Sequence, residues 1–327
     1  MTSKIKTIKN ITCRMCESTK FFKVINLGNH PLVNSLIEKE KIKFKDPVFP
    51  IELMQCKKCK LVQLTKIIDA EEIYKNVDYL YFSSDMPSLK KYFKDYSLDL
   101  EKRFLKKDDL VVEIGCNDGI MLENFKNKYK ILGVDPATNV VLRTLRKGIP
   151  AIPEFFTNNI SSKISKEWGN AKLIYANNCI AHLNDLRDFM SGIKNLLQKK
   201  GVFVFECNYW GGMVKNVNYS LIYHDHFSYF SLDTWIKFSK KYKLNIFDAV
   251  VTPAQGGSLR VFLSKSKYKK TNRLKKLIKE EKMSNLNTFK TSTKYKENVL
   301  NTANKLKNIV LNLKKKGKKV AGYGAAA

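Results

Sequence analysis

A chain of 327 residues exceeds one comfortable core and predicts two or three domains, while its 44% hydrophobic and 11% aromatic content excludes a disordered protein. The formal net charge of +30 favours anionic ligands, but only 7 of the 60 basic residues are arginine and the lysines are scattered, as at Lys57-Lys58, Lys199-Lys200 and Lys314 to Lys316. That spread reads as a lysine-coated surface and argues against nucleic acid as a partner, because phosphate and base readout favours the arginine fork. Met1 to Asn10 carries no apolar stretch, and no uncharged apolar run approaches bilayer length, so a cytoplasmic protein without a membrane partner is expected. The oligomeric state stays open.

The first module, residues 1–69, holds four of the seven cysteines as Cys13-x-x-Cys16 and Cys56-x-x-Cys59. Two thiolate pairs of this spacing complete a tetrahedral Zn2+ shell, and the long insert between them costs little closure entropy. Four thiolates leave no open coordination position, so the metal is expected to be architectural. Short strands are predicted at Ile51 to Gln55 and Leu61 to Thr65. Residues 70–109 are dense in aromatics (Tyr74, Tyr79, Tyr81, Phe82, Tyr92, Phe93, Tyr96) and read as a helical linker capping the substrate site.

From 110 to 250, apolar strand-like runs at Leu110 to Ile114, Ile131 to Val134, Leu173 to Ala176 and Val202 to Glu206 alternate with helical patterns. The alternation predicts an α/β fold with a parallel sheet, whose ligands sit at the carboxyl ends of the strands. The first strand ends in Glu113-Ile114-Gly115-Cys116-Asn117-Asp118-Gly119, a turn whose glycines admit a ligand close to the backbone and whose amides, with the following helix, face it. A dinucleotide fingerprint needs further glycines where Asn117 and Ile120 stand. A single nucleoside with a short polar tail fits better. Asp135, at the tip of the second strand, can accept both ribose hydroxyls, and Glu113 adds a second acid. Together these select S-adenosylmethionine. Cys116, Cys179 and Cys207 read as small buried residues.

Three of the four histidines follow predicted strands: His182 in the segment beginning Asn177-Asn178, and His224 and His226 in Tyr223-His224-Asp225-His226. Strand ends converge on the cofactor, so His182, Tyr223, Asp225 and His226 are expected to share one pocket. Asn177-Asn178-Cys179-Ile180 departs from the Asn-Pro-Pro-Tyr turn of amino-methyltransferases. Imidazole and phenol groups suit removal of a proton from a carbon beside a ketone, with donors for the enolate oxygen.

Residues 251–327 are lysine-rich, with a helical stripe at Val299, Ala303, Leu306, Val310 and Leu313. Lys318 to Gly324 reads as a strand entering a Gly-x-Gly turn, after which the chain stops at Ala327. An incomplete C-terminal α/β domain is therefore expected.

The two cysteine pairs, Leu27-Gly28 through Leu36, Tyr81-Phe82-Ser83-Ser84, the turn from Glu113 to Gly119, the Asn177-to-His182 segment, Tyr223 to Leu232 and Gly256-Gly257-Ser258-Leu259-Arg260 together resemble the sugar-nucleotide C-methyltransferases. The resemblance implies a zinc-bearing N-terminal domain, a class I S-adenosylmethionine-dependent methyltransferase domain of Rossmann-like parallel sheet, and a C-terminal C-methyltransferase domain. It implies a nucleotide-linked 4-keto deoxysugar as substrate, His226 as base, Tyr223 and Asp225 flanking it, His182 across the pocket, and Tyr81 or Tyr79 closing the sugar site. Asp225 stands where the family commonly has Glu. The alternatives are a truncated, non-catalytic relative that keeps zinc and cofactor, and an RNA methyltransferase resting on charge and zinc alone.

Overall fold

The computed structural model describes residues 5–9, 11–33, 39, 43, 46–75 and 78–322. Part of the Leu27-to-Leu36 motif and the turn at Tyr323-Gly324 lie outside them. The N-terminal strands are β1 (Thr7–Lys9), β2 (Phe21–His30), β3 (Phe49–Cys56), β4 (Val62–Leu64) and β5 (Lys66–Ile68). The helices α1 (Ala70–Tyr74) and α2 (Pro87–Phe104) lead into β6 (Leu110–Ile114), β7 (Lys130–Val134), α3 (Thr138–Arg146), β8 (Ala151–Ile152), α4 (Asn158–Trp168) and β9 (Ala171–Asn177). Then come α5 (Leu186–Leu196), β10 (Leu197–Asn208), α6 (Trp210–Asn216), β11 (Ser228–Tyr229), α7 (Leu232–Lys241), β12 (Asn245–Thr252), β13 (Ser258–Ser264), α8 (Asn272–Met283) and α9 (Phe289–Lys315).

Seven strands form one sheet in the order β12-β13-β10-β9-β6-β7-β8. The pairs from β10 through β8 are parallel, and β13 runs antiparallel to both its neighbours. The chain leaves β6 toward β7 on one side and returns to β9 on the other, so the switch point lies between β6 and β9, where such sheets bind ligands. This is the expected Rossmann-like methyltransferase sheet. β6 is buried along its whole length, as a strand covered on both faces must be. Alternate side chains feed two cores: Val112, Ile114, Ile174, Ala176, Phe203 and Phe205 on one face, Val111, Leu173, Tyr175, Val202 and Val204 on the other.

α2 covers the second face with Phe93, Tyr96 and Leu100. A polar knot fastens it there: Glu206 accepts from the Tyr92 hydroxyl at 2.7 Å and from Arg260 Nε at 2.8 Å, while the Arg260 guanidinium lies over the Tyr96 ring. The first core runs on into the cysteine module, so the two modules share one apolar interior. A separate four-stranded sheet, β11-β4-β3-β2, joins them by backbone, because β11 comes from the methyltransferase part and pairs with β4 through Ser228–Gln63 and Tyr229–Val62.

Four expectations change. The aromatic stretch is not one helix: α1 ends at Tyr74 and α2 begins at Pro87, and residues 78–82 carry no helix because side chains from the turn after β6 and from α3 hold their backbone. The helix expected after the glycine turn is a single 3-10 turn, Leu122–Phe125, so no α-helix begins at that turn. The boundary expected at residue 250 falls inside β12, and β13 completes the methyltransferase sheet. Beyond β13 the described residues form α8 and α9 with no strand, and Lys318 to Gly322 carry no regular structure. The stripe on α9 does lie on a helix, but Val299 alone of its five residues is buried and Leu306 is 56% exposed. No helix among the described residues is long and apolar enough to cross a membrane.

Candidate active site and metal centre

At the carboxyl ends of β6, β7 and β9 a cavity of about 400 Å³ opens. Glu113, Gly115, Asn117, Asp135, Asn177, Asn178, His182, Tyr223, Asp225, His226, Tyr79 and Tyr81 all line it. Gly119 does not. Its φ of +77° and its closeness to Thr144 make it the residue that closes the turn, one layer behind the cavity wall.

In the cofactor half, Gly115 takes a φ of +68°, and a Cβ there would stand 2.6 Å from Cys179 Cβ. Only glycine lets the turn pass so close beneath the cavity floor. Asp135 is 9% exposed and accepts one backbone amide on each oxygen, Asn117 N at 2.9 Å and Ala137 N at 3.0 Å. A second lone pair on each oxygen remains for a ligand. Burial pushes this carboxyl up to about 6. Glu113, deeper, accepts from the Tyr175 hydroxyl at 3.0 Å, and burial raises it well above the ordinary carboxylate range. Asn177 and Asn178 each present a buried side-chain oxygen with no partner. Two orphan acceptors, a glycine cradle and a ribose-type acid fit a nucleoside bearing an ammonium group.

Asn117 does something the sequence did not announce. Its Oδ1 accepts from Ser83 N at 2.7 Å and its Nδ2 donates to the Tyr81 carbonyl at 3.0 Å. Asn139 makes the same reciprocal pair with the Tyr79 backbone, and Asp118 accepts from the backbone and hydroxyl of Ser84. Arg143 stacks over Phe82, 3.6 Å from its centroid. These contacts hold the aromatic segment across the cavity.

In the catalytic half, His226 Nδ1 lies 2.8 Å from the Leu221 carbonyl. Nδ1 also lies 2.9 Å from Asn208 Nδ2, and Nε2 lies 3.0 Å from the Tyr223 hydroxyl; where Nδ1 donates to the carbonyl, Nε2 keeps its lone pair toward Tyr223. Burial first, and His182 second, pull His226 down to about 3, so the ring stays neutral near pH 7. His182 sits 4.9 Å away, centroid to centroid, and its Nδ1 donates to the Asp225 carbonyl at 2.6 Å. The Asp225 side chain has been pushed up to about 7 by burial. Tyr74, at the end of α1, packs against both His182 and Tyr79 and keeps a buried hydroxyl without a partner. Tyr74 belongs to the site, and its helical position gave the sequence reading no reason to single it out. Cys179, expected to be buried, lines the cavity wall instead.

Below the catalytic half lies the cysteine cluster. The sulfurs of Cys13, Cys16, Cys56 and Cys59 all lie within 4.8 Å of one another, with Cys13–Cys59 at 3.3 Å and Cys16–Cys56 at 3.5 Å. These are free thiols, too far apart for disulfides. Four sulfurs at Zn–S bonds of about 2.3 Å would stand roughly 3.8 Å apart, so the set fits a structural zinc with little adjustment. The module grips the histidine segments: Leu64 N donates to the Phe227 carbonyl and His224 Nε2 to the Phe49 carbonyl at 3.1 Å, while Phe227 N donates to the Ala181 carbonyl and ties the two segments to each other.

Three family models match this chain in order: "Putative zinc binding domain" over residues 13–74, "Methyltransferase domain" over 88–248 and "C-methyltransferase C-terminal domain" over 253–327. The chain is an S-adenosylmethionine-dependent methyltransferase with the domain series of the C-methyltransferases. C-methyltransferase NovU of Streptomyces niveus is 29% identical over 317 residues, covering 96% of this chain and 75% of its own. Among solved structures, an S-adenosylmethionine-dependent methyltransferase from Clostridium acetobutylicum is 15% identical with a TM-score of 0.43, covering 55% of this chain and 93% of that one. The N-methyltransferase NodS from Bradyrhizobium japonicum is 14% identical with a TM-score of 0.40, covering 55% and 97%.

Proposed function

We propose that this methyltransferase acts on the carbon beside the ketone of a nucleotide-linked 4-keto deoxysugar, through an enolate generated by His226. The observation that carries the reading is the place of that ring in the cavity, with Nδ1 against the Leu221 carbonyl and Nε2 facing Tyr223. A neutral imidazole with its Nε2 lone pair beside Tyr223, in the cavity that also holds Asp135, is a base poised against carbon.

S-adenosylmethionine, when bound, supplies an electrophilic methyl group on a sulfonium sulfur. Asp135 would accept the ribose hydroxyls, and Asn177 and Asn178 would give their orphan oxygens to the ammonium. Gly115 would let the backbone approach the ligand, while Glu113, Asn117 and Gly119 shape the floor and turn beneath it. His226 Nε2 takes the proton from the carbon, and the C–H electron pair moves into the carbonyl as an enolate. Asp135, Asn177 and Asn178 would hold the donor so that its methyl group is supplied to that carbon, the electron pair of the broken C–S bond staying on sulfur. The imidazolium returns its proton to water. A positive ring in so dry a place is disfavoured by burial, and the enolate's negative charge offsets that cost as it forms. Tyr223, His182 and Asp225 position the ring and the sugar, and Tyr81 or Tyr79 covers it.

No lysine or arginine among the described residues lines the cavity. The sugar ring would enter while the diphosphate stays outside, on the lysine-rich surface. Incubation with a 4-ketosugar nucleotide in deuterated solvent tests the reading by mass spectrometry. The wild-type chain should exchange the adjacent proton, and His226→Ala should lose about a hundredfold to ten-thousandfold of that rate. Undiminished exchange in the variant removes His226 as the base.

A further inference from the structure

Arg14 sits inside the first cysteine knuckle, between Cys13 and Met15, yet its side chain leaves the metal cluster and runs toward the active site. Its Nη2 donates to the carbonyls of Leu183 and, at 3.1 Å, Asn184, the two residues that follow His182. Its guanidinium lies 5.0 Å from the ring centroid of Phe227, the residue that follows His226. The Arg14 backbone is fixed in turn, because its N–H donates to Gln63 Oε1 at 3.1 Å, and Gln63 faces Ser228 across the β4–β11 ladder. One side chain therefore touches the backbone after His182 and the ring after His226, two histidines that reach this place from different strands.

The side chain is costly where it stands. Arg14 is 7% exposed, and its Nε and Nη1 have no partner. An aliphatic side chain would fill the space without leaving polar hydrogens unpaired, so packing alone does not account for an arginine here. What an aliphatic chain cannot do is hold two successive carbonyls and a ring face at once.

We infer that Arg14 is a positioning residue that sets the spacing of the His182 and His226 rings, coupling the cysteine module to proton abstraction. For its effect on turnover the inference rests on the C-methyltransfer reading; for the geometry it does not. Leu183 and Asn184 fix the end of the 3-10 turn Ile180–His182, and Phe227 fixes the exit of the Tyr223–His226 loop. With the guanidinium gone, the bonds from Phe227 N to the Ala181 carbonyl and from His182 to the Asp225 carbonyl still join the two loops, but both lose their brace from the first cysteine knuckle.

The test uses the full chain loaded with zinc. Arg14→Met keeps the length of the side chain and removes every donor, and Arg14→Lys restores one. Ring 15N resonances are tractable in a chain with four histidines. The expected result is that Arg14→Met moves the His182 and His226 ring resonances while His30 stays in place, with zinc content and S-adenosylmethionine affinity unchanged. Exchange of the substrate proton should fall about tenfold to a hundredfold in kcat with KM within about threefold, and Arg14→Lys should recover part of it. Should Arg14→Met fail to fold, Arg14→Lys still reports a smaller shift of the same two rings. Unmoved ring resonances in a folded variant overturn the inference. A wild-type chain that exchanges no proton sinks the C-methyltransfer reading instead, and the resonances still decide whether Arg14 sets the rings.

Discussion

The two halves of the cavity are built in opposite ways. The cofactor half comes from neighbouring strands of one sheet, with Gly115, Asn117 and Asp135 tied to each other over short stretches of chain. The catalytic half is assembled from distant pieces: α1, the turn after β9, the Tyr223–His226 loop and, beneath them, a sheet whose other strands belong to the cysteine module. A locally built half should tolerate damage to the module, while a long-range half should not.

The largest effect expected of any change that separates the halves is Cys56→Ser. Losing one of four thiolates should weaken zinc by on the order of 3 kcal/mol out of a typical ~10–16 kcal/mol, and the β3–β4–β11 sheet should loosen with it. Metal analysis and proton exchange should both fall steeply while calorimetry still finds S-adenosylmethionine bound within about threefold of wild type. Collapse of cofactor binding along with the zinc would show that the halves are one unit. The reverse lesion is Gly115→Ala. The new Cβ meets Cys179 and is held at positive φ, a strain of about 1–2 kcal/mol before the clash is counted, so cofactor affinity should drop roughly tenfold or more. Substrate proton exchange measured without the methyl donor should barely change; an equal loss there would contradict the division.

The smallest and most graded effect concerns Asp135. Acidification through about 6 protonates it and removes an acceptor, so cofactor affinity should fall as pH drops below 6, by at most about tenfold per unit, and stay flat above 7. Asp135→Asn should bind more weakly at pH 7 and lose the slope. A slope that survives in Asp135→Asn would assign the titration to another group.

The same division explains what could be read from the chain. β6, β7, β9 and β10 stood out because buried parallel strands are continuous apolar runs, and the glycine turn and Asp135 follow them at fixed spacing. The four cysteines were legible because metal spacing is a local pattern. Tyr74 and Arg14 were not, since nothing near them in sequence distinguishes a buried phenol or guanidinium from a surface one. β11 was missed because two residues carry too little periodicity to signal a strand. The aromatic segment misled for a related reason: its helical composition was overridden by Asn117 and Asn139, whose amides capture its backbone from afar.

The bond from His224 to Phe49 joins residues 175 positions apart, and the short β11 ladder beside it spans a comparable distance. Contacts of such separation close late in folding, because the intervening loop must surrender its entropy before they return anything. The cofactor pocket should therefore appear first during refolding, on a nascent sheet, and His226 should reach its place last. Between those two moments the chain can bind a methyl donor before it can use one.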